Sequence, residues 1–186
     1  MCHLFGSSRI INSMTALAAS GGLGEAASWV SLRQDIYVAL TLNKPLNVQL
    51  RNFEASQSLC EPDDDTWANK MVLTFATILS FTSDDSQELE LERWDAFQYD
   101  TDSWMISKPD TFDPVIEIDC DPLGNRPFPE IWVLKPAHVI GWQYFHMAKM
   151  ILAGSDPRRP KHGFARLRAF KDTEVRESVS WGRHFD

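Results

Sequence analysis

Apolar side chains recur at steps of three or four residues along most of the chain, a spacing typical of helices with one buried face. Aspartates at the start of one stretch, and glycine or proline after others, mark helix ends. The pattern predicts five helices, with approximate bounds Glu25–Leu42, Asp63–Phe81, Gln87–Ser107, Ala137–Ala153 and Ala165–Trp181.

Large apolar residues define the predicted buried faces of the first three helices. In the first helix, Arg33 and Asp35 lie off the apolar stripe and are expected outside the core. Asp63, Asp64 and Asp65 are predicted to cap the second helix and to favour the positive end of its dipole, with a divalent cation as the alternative. The expected core positions are Trp29, Leu32, Ile36, Leu40, Trp67, Met71, Phe75, Ile78, Leu79, Trp94, Phe97 and Trp104.

The fourth helix is apolar around most of its circumference. Only His138, Gln143, His146 and Lys149 interrupt it, and at about 100° per residue they fall within an arc of roughly 140°. We therefore expect a central helix with a polar seam that packs on a neighbouring helix or touches solvent. The alternative is that these four residues contact a small ligand or a partner protein.

The connection from Lys108 to Pro136 contains six prolines. Proline removes a backbone donor, so a regular helix or a central strand is not expected here. The run Val115–Ile118 is a candidate for local strand pairing, and Glu130–Leu134 is a candidate for a single turn.

Length and composition favour one folded domain. The chain has 186 residues, 44% of them hydrophobic, and seven tryptophans, which is enough apolar surface for a core. The predicted fold class is all-α: a single irregular helical domain of about five helices, spanning residues 24–186. Residues 1–23, rich in small and apolar side chains, are predicted to be a poorly ordered leader.

Charge is distributed unevenly. The net charge is −8, and the last 29 residues hold eight basic against four acidic side chains. An acidic surface disfavours non-specific binding to nucleic acid by the whole chain. The basic stretch is predicted to be a connecting surface loop, with a nuclear-import or phosphate-contacting patch as the alternative. Its basic residues are Arg158, Arg159, Lys161, Arg166, Arg168 and Lys171.

No motif of catalysis, metal binding or cofactor binding stands out. The three cysteines are far apart and include no C-x-x-C pair, so neither a zinc site nor a disulfide framework is indicated. The string GLGEAA over Gly22–Ala27 lacks the preceding strand that a dinucleotide fingerprint needs, and is predicted to be the entry to the first helix. We expect a non-enzyme with no catalytic, metal or DNA-binding residues and no membrane-spanning helix.

Three blocks in order resemble the regulatory core of fungal zinc binuclear cluster transcription factors. WVSLRQDIY begins at Trp29, and DDDTWAN begins at Asp63. The third block, Phe128–Pro160, opens with FPEIW and continues through His138, Gly141, Gln143, His146 and Ala148. These blocks are similar to the family patterns W-x-x-L-R-Q-[DE]-I-Y, D-D-x-x-W-A-N and F-P-E-I-W…H-x-x-G-x-Q-x-x-H-x-A.

The resemblance implies a nuclear regulator of transcription that acts through a full-length zinc-cluster factor or a co-regulator. The six cysteines of the DNA-binding cluster are not present, so direct DNA binding is not expected, and zinc enters only if such a cluster lies outside this chain. The domain would then be a truncated version of a larger α-helical regulatory domain, incomplete at its C-terminal end, with uncovered apolar faces that favour self-association. The alternatives are a helical module that senses a small molecule, and an inactive fragment of a longer factor.

Overall fold

The computed structural model describes residues 9–12, 17–42, 44–82, 90–121 and 126–158. Within these ranges the predominantly all-α, single-domain prediction is confirmed. Two short strands form one small antiparallel sheet, and the predicted fifth helix lies outside the described residues. The long elements are α1 (Gly22–Leu42), α2 (Asp64–Thr82), α3 (Leu91–Ser107), β1 (Ile116–Ile118), β2 (Glu130–Trp132) and α4 (Pro136–Gly154).

Local sequence explains where the helices begin. Gly21 and Gly22 have φ values of 72° and 62°, a left-handed conformation that glycine adopts without strain, so GLGEAA is the entry to α1 as predicted. At α2, the Thr66 N–H donates to Asp63 Oδ1 at 2.7 Å, which confirms the aspartate cap. Pro136 occupies the first turn of α4, where its missing N–H is not needed.

Helix α4 packs along α2 on one side and against α3 on another. The Phe75 ring meets the Tyr144 ring edge-on at 5.6 Å, and the Trp104 ring stacks on Phe145 at 5.8 Å. These contacts confirm α4 as the central helix. Its third side is open, however, because Val139 and Met150 are exposed and no described element covers them. The prediction that the whole apolar circumference is buried was therefore wrong.

The proline-rich connection forms a short hairpin. Ile116 pairs with Trp132 and Ile118 with Glu130, so the expected local pairing near Val115–Ile118 is confirmed. The segment predicted as a single turn is strand β2 instead, because its partner strand supplies the backbone hydrogen bonds that a turn would otherwise satisfy.

Two further differences concern the first helix and the leader. Ala39 rather than Leu40 faces the core. Ile11 and Ala18, within the expected leader, are buried in the hydrophobic core. Both side chains pack in the same hydrophobic core as the buried residues of α1. None of the helices in the described part of the chain is both long and apolar enough to cross a membrane.

Candidate functional site

Asp64 joins the start of α2 to the segment that leads into α4. Its carboxylate accepts hydrogen bonds from Lys135 Nζ at 2.7 Å and from Thr111 Oγ1 at 2.6 Å, and lies 3.0 Å from His138 Nε2. The hydrogen bond from Lys135, then those from Thr111 and His138, hold the pKa of Asp64 far below its usual range. The same contact raises the pKa of Lys135. Asp64 is therefore an ionised carboxylate that connects the start of α2 to Thr111, Lys135 and His138.

His138 is a buried residue rather than part of an exposed polar seam. Its side chain is 1% exposed, and its ring lies 4.6 Å from the Phe112 ring. Asp64 engages Nε2, whereas Nδ1 has no hydrogen-bond partner among the described residues. Of the two surroundings expected for this position, a neighbouring helix or solvent, His138 has the first, because Asp64 belongs to α2.

The other three residues of the predicted seam have separate surroundings. Lys149 Nζ donates to Asp102 Oδ1 on α3 at 2.8 Å. The ring of His146 stacks on Trp142, with centroids 5.5 Å apart. Gln143 is exposed. Lys149 thus contacts a neighbouring helix, His146 contacts a residue of its own helix, and the structure does not bring the four together as one ligand site.

The first two sequence blocks are tied by a hydrogen bond between α1 and α2. Arg33 Nη2 donates to Asn69 Oδ1 at 2.8 Å, while the buried Arg33 Nε has no partner among the described residues. Tyr144 of α4 lies nearby, and burial raises the pKa of its hydroxyl although Arg33 acts in the opposite direction. Together with the Asp64–His138 contact, this bond links all three blocks.

Glu25 is a buried carboxylate that sequence analysis did not single out. It accepts hydrogen bonds from the Ser56 and Ser58 hydroxyls and from the Ser58 and Gly21 backbone N–H groups. Burial alone would raise its pKa, but these bonds outweigh burial and lower the pKa to about 2. Trp29 Nε1 donates to Ser56 Oγ at 3.1 Å and extends the network.

Asp35 is a second buried carboxylate, and the expectation that it lies outside the core was wrong. Its Oδ2 accepts from the backbone N–H groups of Asn47 at 2.6 Å and Val48 at 2.8 Å. The Asn47 side chain donates to Oδ1 at 2.8 Å. Asp35 thus holds the loop after α1, and helical spacing carries no signal of it because the donors lie in that loop.

A groove of about 530 Å³ runs between α2 and α3. Two contacts between the helices fix the distance between its aromatic walls. Trp104 Nε1 donates to the Trp67 carbonyl at 2.9 Å, and the Phe97 ring packs on the Phe81 ring with centroids 5.5 Å apart. The volume lies within the range of small-molecule pockets. The lining residues are Leu59, Trp67, Lys70, Leu73, Thr74, Thr77, Phe97, Asp100, Ser103 and Trp104.

The groove was not predicted from the sequence, although each wall carries a signal. Trp67, Lys70 and Thr74 recur at three- and four-residue steps, as do Phe97 and Asp100. Such spacing puts polar and aromatic residues on one helical face. The pattern does not tell which two faces meet, so only the fold reveals the groove.

Arg158 is the one residue of the predicted basic patch that falls within the described ranges. Its Nε donates to Asp156 Oδ1 at 2.9 Å, and its guanidinium carbon lies 4.3 Å from the Trp94 ring centroid. Arg158 Nη1 lies 3.7 Å from Asp95. The end of the described chain is therefore held against α3, while Arg159, Lys161, Arg166, Arg168 and Lys171 lie outside the described residues.

Described cysteine, histidine and carboxylate side chains do not group in a way that would hold a metal ion. Cys60 and Cys120 are both exposed and free. In the described part of the chain, the features of interest are thus the polar contacts between helices and the groove with aromatic walls. In comparisons with known proteins, no family model, curated protein or solved structure matches the chain.

Proposed function

We propose that this chain is a regulator of transcription without a DNA-binding cluster of its own, acting in the nucleus through a zinc-cluster factor or a co-regulator. The observation that carries the proposal is the mutual contact of the three family-like blocks. Arg33 of the first block binds Asn69 of the second, and Asp64 of the second binds His138 of the third. These two contacts join named positions of all three blocks within one fold.

An exposed apolar surface around the hairpin supports contact with another protein. Phe128 is 77% exposed and Leu134 is 73% exposed, and Val115, Ile116 and Trp132 beside them are also exposed. The Val115 N–H donates to the Trp132 carbonyl at 2.9 Å, which holds these side chains on one hairpin. Exposed apolar and aromatic clusters are typical of interaction surfaces. We call these five residues the hairpin patch.

The patch also bears on the two other roles named from sequence. Self-association through the same apolar side chains would compete with partner binding, because one surface serves both. An inactive fragment would bind no specific partner and would leave transcript levels unchanged. The proposal assigns no catalytic step to the chain.

The test is expression of the tagged chain in a fungal host, with microscopy and with mass spectrometry of co-purified proteins. We expect nuclear fluorescence and an identified zinc-cluster factor among the co-purified proteins. Trp132→Ser, in the hairpin patch, should abolish co-purification. Met150→Ser is the matched control, because Met150 is equally exposed but lies near the other end of α4.

Absence of both nuclear entry and a zinc-cluster partner would refute the proposal. Equal loss of the partner in Trp132→Ser and Met150→Ser would refute the assignment of the hairpin patch. Deletion of the gene followed by transcript profiling tests the inactive-fragment alternative, since an unchanged profile is the result that this alternative predicts.

A further inference from the structure

The groove between α2 and α3 combines rigid aromatic walls with two charged and two hydroxyl side chains that form no hydrogen bond or ion pair among the described residues. The Trp104 ring stacks on Phe145 at one angle and meets Phe112 edge-on at another, with centroids 5.8 and 5.7 Å apart. Its indole N–H is anchored to the Trp67 carbonyl. The walls therefore cannot close on each other without breaking core contacts, and the space between them is preformed.

Opposite charges face the groove from opposite walls. Lys70 belongs to α2 and Asp100 to α3, and both line the groove. Among the described residues, neither takes part in an ion pair or hydrogen bond; the Lys70 ammonium lies 5.3 Å from the Trp67 ring centroid. An unpaired cation and an unpaired anion on two walls leave room for a ligand that carries both charges.

Two hydroxyl groups add polar contacts on the same walls. Thr74 and Ser103 line the groove, and within the described chain their hydroxyls form no hydrogen bond. Thr77, by contrast, donates to the Leu73 carbonyl of its own helix. Free hydroxyls beside apolar walls are the few placed polar groups that orient a ligand in a small-molecule site.

We propose that this groove binds an aromatic zwitterion, that is, a small molecule with a planar ring, a carboxylate and an ammonium group, as in the aromatic amino acids. The ring packs between Trp67, Phe97 and Trp104, where offset or edge-on ring contacts are favourable. The carboxylate faces Lys70 and the ammonium faces Asp100. A ligand with only one charge leaves the other wall residue unpaired or meets a like charge, so both charges contribute to the affinity.

This inference is independent of the proposed role in transcription. The groove is also a different place from the α4 positions that the sequence offered as a ligand contact. None of those four residues lines the groove: His138, Gln143, His146 and Lys149.

The test is isothermal titration calorimetry of the full chain with three probes: L-tryptophan, tryptamine, which lacks the carboxylate, and indole-3-propionate, which lacks the ammonium. We expect L-tryptophan to bind with a Kd of about 1 mM or below, given the modest size of the ligand. Each single-charge probe should bind about two- to fivefold more weakly, the effect of one solvent-exposed charge pair.

Variants of the two charged residues should remove the two contributions separately. Lys70→Met should reduce the affinity for L-tryptophan about two- to fivefold and leave the affinity for tryptamine unchanged. Asp100→Asn should reduce the affinity for L-tryptophan by a similar factor and leave the affinity for indole-3-propionate unchanged. Both side chains are exposed, so the fold should tolerate these changes. Lys44→Met and Asp119→Asn are matched controls at exposed positions outside the groove.

A second measurement locates the ligand. In ¹H–¹⁵N spectra, L-tryptophan should shift the indole N–H signals of Trp67 and Trp104 and leave that of Trp29, which is hydrogen-bonded to Ser56, in place. The proposal is overturned if L-tryptophan shows no saturable binding at about 10 mM, if it shifts signals elsewhere instead, or if Lys70→Met and Asp100→Asn bind it as the wild type does. Loss of partner binding in cells with intact L-tryptophan binding would count against the regulatory role alone.

Discussion

Glu25→Gln is the substitution that most directly tests how buried charge stabilises this fold. Glu25 is 2% exposed, and its two oxygens accept from four donors in a turn before α1 and a loop before α2. Glutamine keeps the shape of the side chain but replaces one acceptor oxygen by an amide donor. The new amide N–H would then face one of the N–H or O–H groups that now donate to Glu25. The remaining hydrogen bonds would no longer be made to a charged acceptor and would be weaker.

The pKa of Glu25 gives the magnitude. It falls from 4.5 to about 2 in the folded protein, and at 1.36 kcal/mol per pH unit this corresponds to about 3 kcal/mol of stability near pH 7. We therefore expect Glu25→Gln to lower the free energy of unfolding by about 2 to 3 kcal/mol and Tm by about 5 to 10 °C.

The pH dependence has a definite sign. Because the folded pKa is lower than the unfolded one, the unfolded state binds more protons as the pH falls. The stabilisation by Glu25 is thus complete above about pH 5 and is lost as the pH decreases towards 2. The difference between wild type and Glu25→Gln should shrink by roughly half between pH 7 and pH 3.

Urea unfolding followed by far-UV circular dichroism at pH 7 and pH 3 measures both effects. Glu61→Gln is the matched control, since Glu61 is exposed and precedes α2 without joining the Glu25 network. An unfolding free energy within about 0.5 kcal/mol of wild type for Glu25→Gln at pH 7, or a difference from wild type that does not change with pH, would contradict the assignment of an ionised buried carboxylate.

Three further substitutions test one close packing contact and two polar contacts. Gly141→Ala should lower the free energy of unfolding by about 1 to 3 kcal/mol, because the new methyl would lie 2.6 Å from the Phe112 ring, whereas Gly154→Ala meets nothing within 4 Å and should be neutral in the same melts. Lys149→Ala should cost less than about 1 kcal/mol in urea, since the two side chains of its ion pair are 33% and 45% exposed; a larger loss would indicate a buried role. Asp35→Ala should cost about 2 to 4 kcal/mol and should speed amide hydrogen exchange in the loop after α1, and unchanged exchange there would argue against its three hydrogen bonds.

The positions of the helices follow from local patterns. Burial of one helical face demands apolar residues at steps of three and four, and capping demands a short polar side chain such as Asp63 at the first turn. Both signals lie within a few residues of the structure they specify. This is why α1, α2 and α4 have nearly the bounds expected from sequence, and why Trp94, Phe97 and Trp104 face the core as predicted.

The hairpin was only half predictable. The apolar run at β1 indicated pairing, but its partner strand, reached through a proline-rich connection, has no alternation long enough to distinguish it from a turn. The exposed side of α4 is a similar case. Val139 and Met150 belong to an apolar circumference, and only the positions of α2 and α3 decide which part of it is covered.

Charged and functional groups depended most on the tertiary fold. Glu25, Asp35 and His138 are buried because their hydrogen-bond partners come from elsewhere in the chain, which the periodicity of one helix does not reveal. The groove likewise needs Lys70 from α2 and Asp100 from α3 on facing walls. The sequence determines which side of a helix is buried, because that depends on residues three and four positions away along the chain. Only the tertiary structure decides which polar groups pair, because those contacts join distant segments that the packing of the helices brings together.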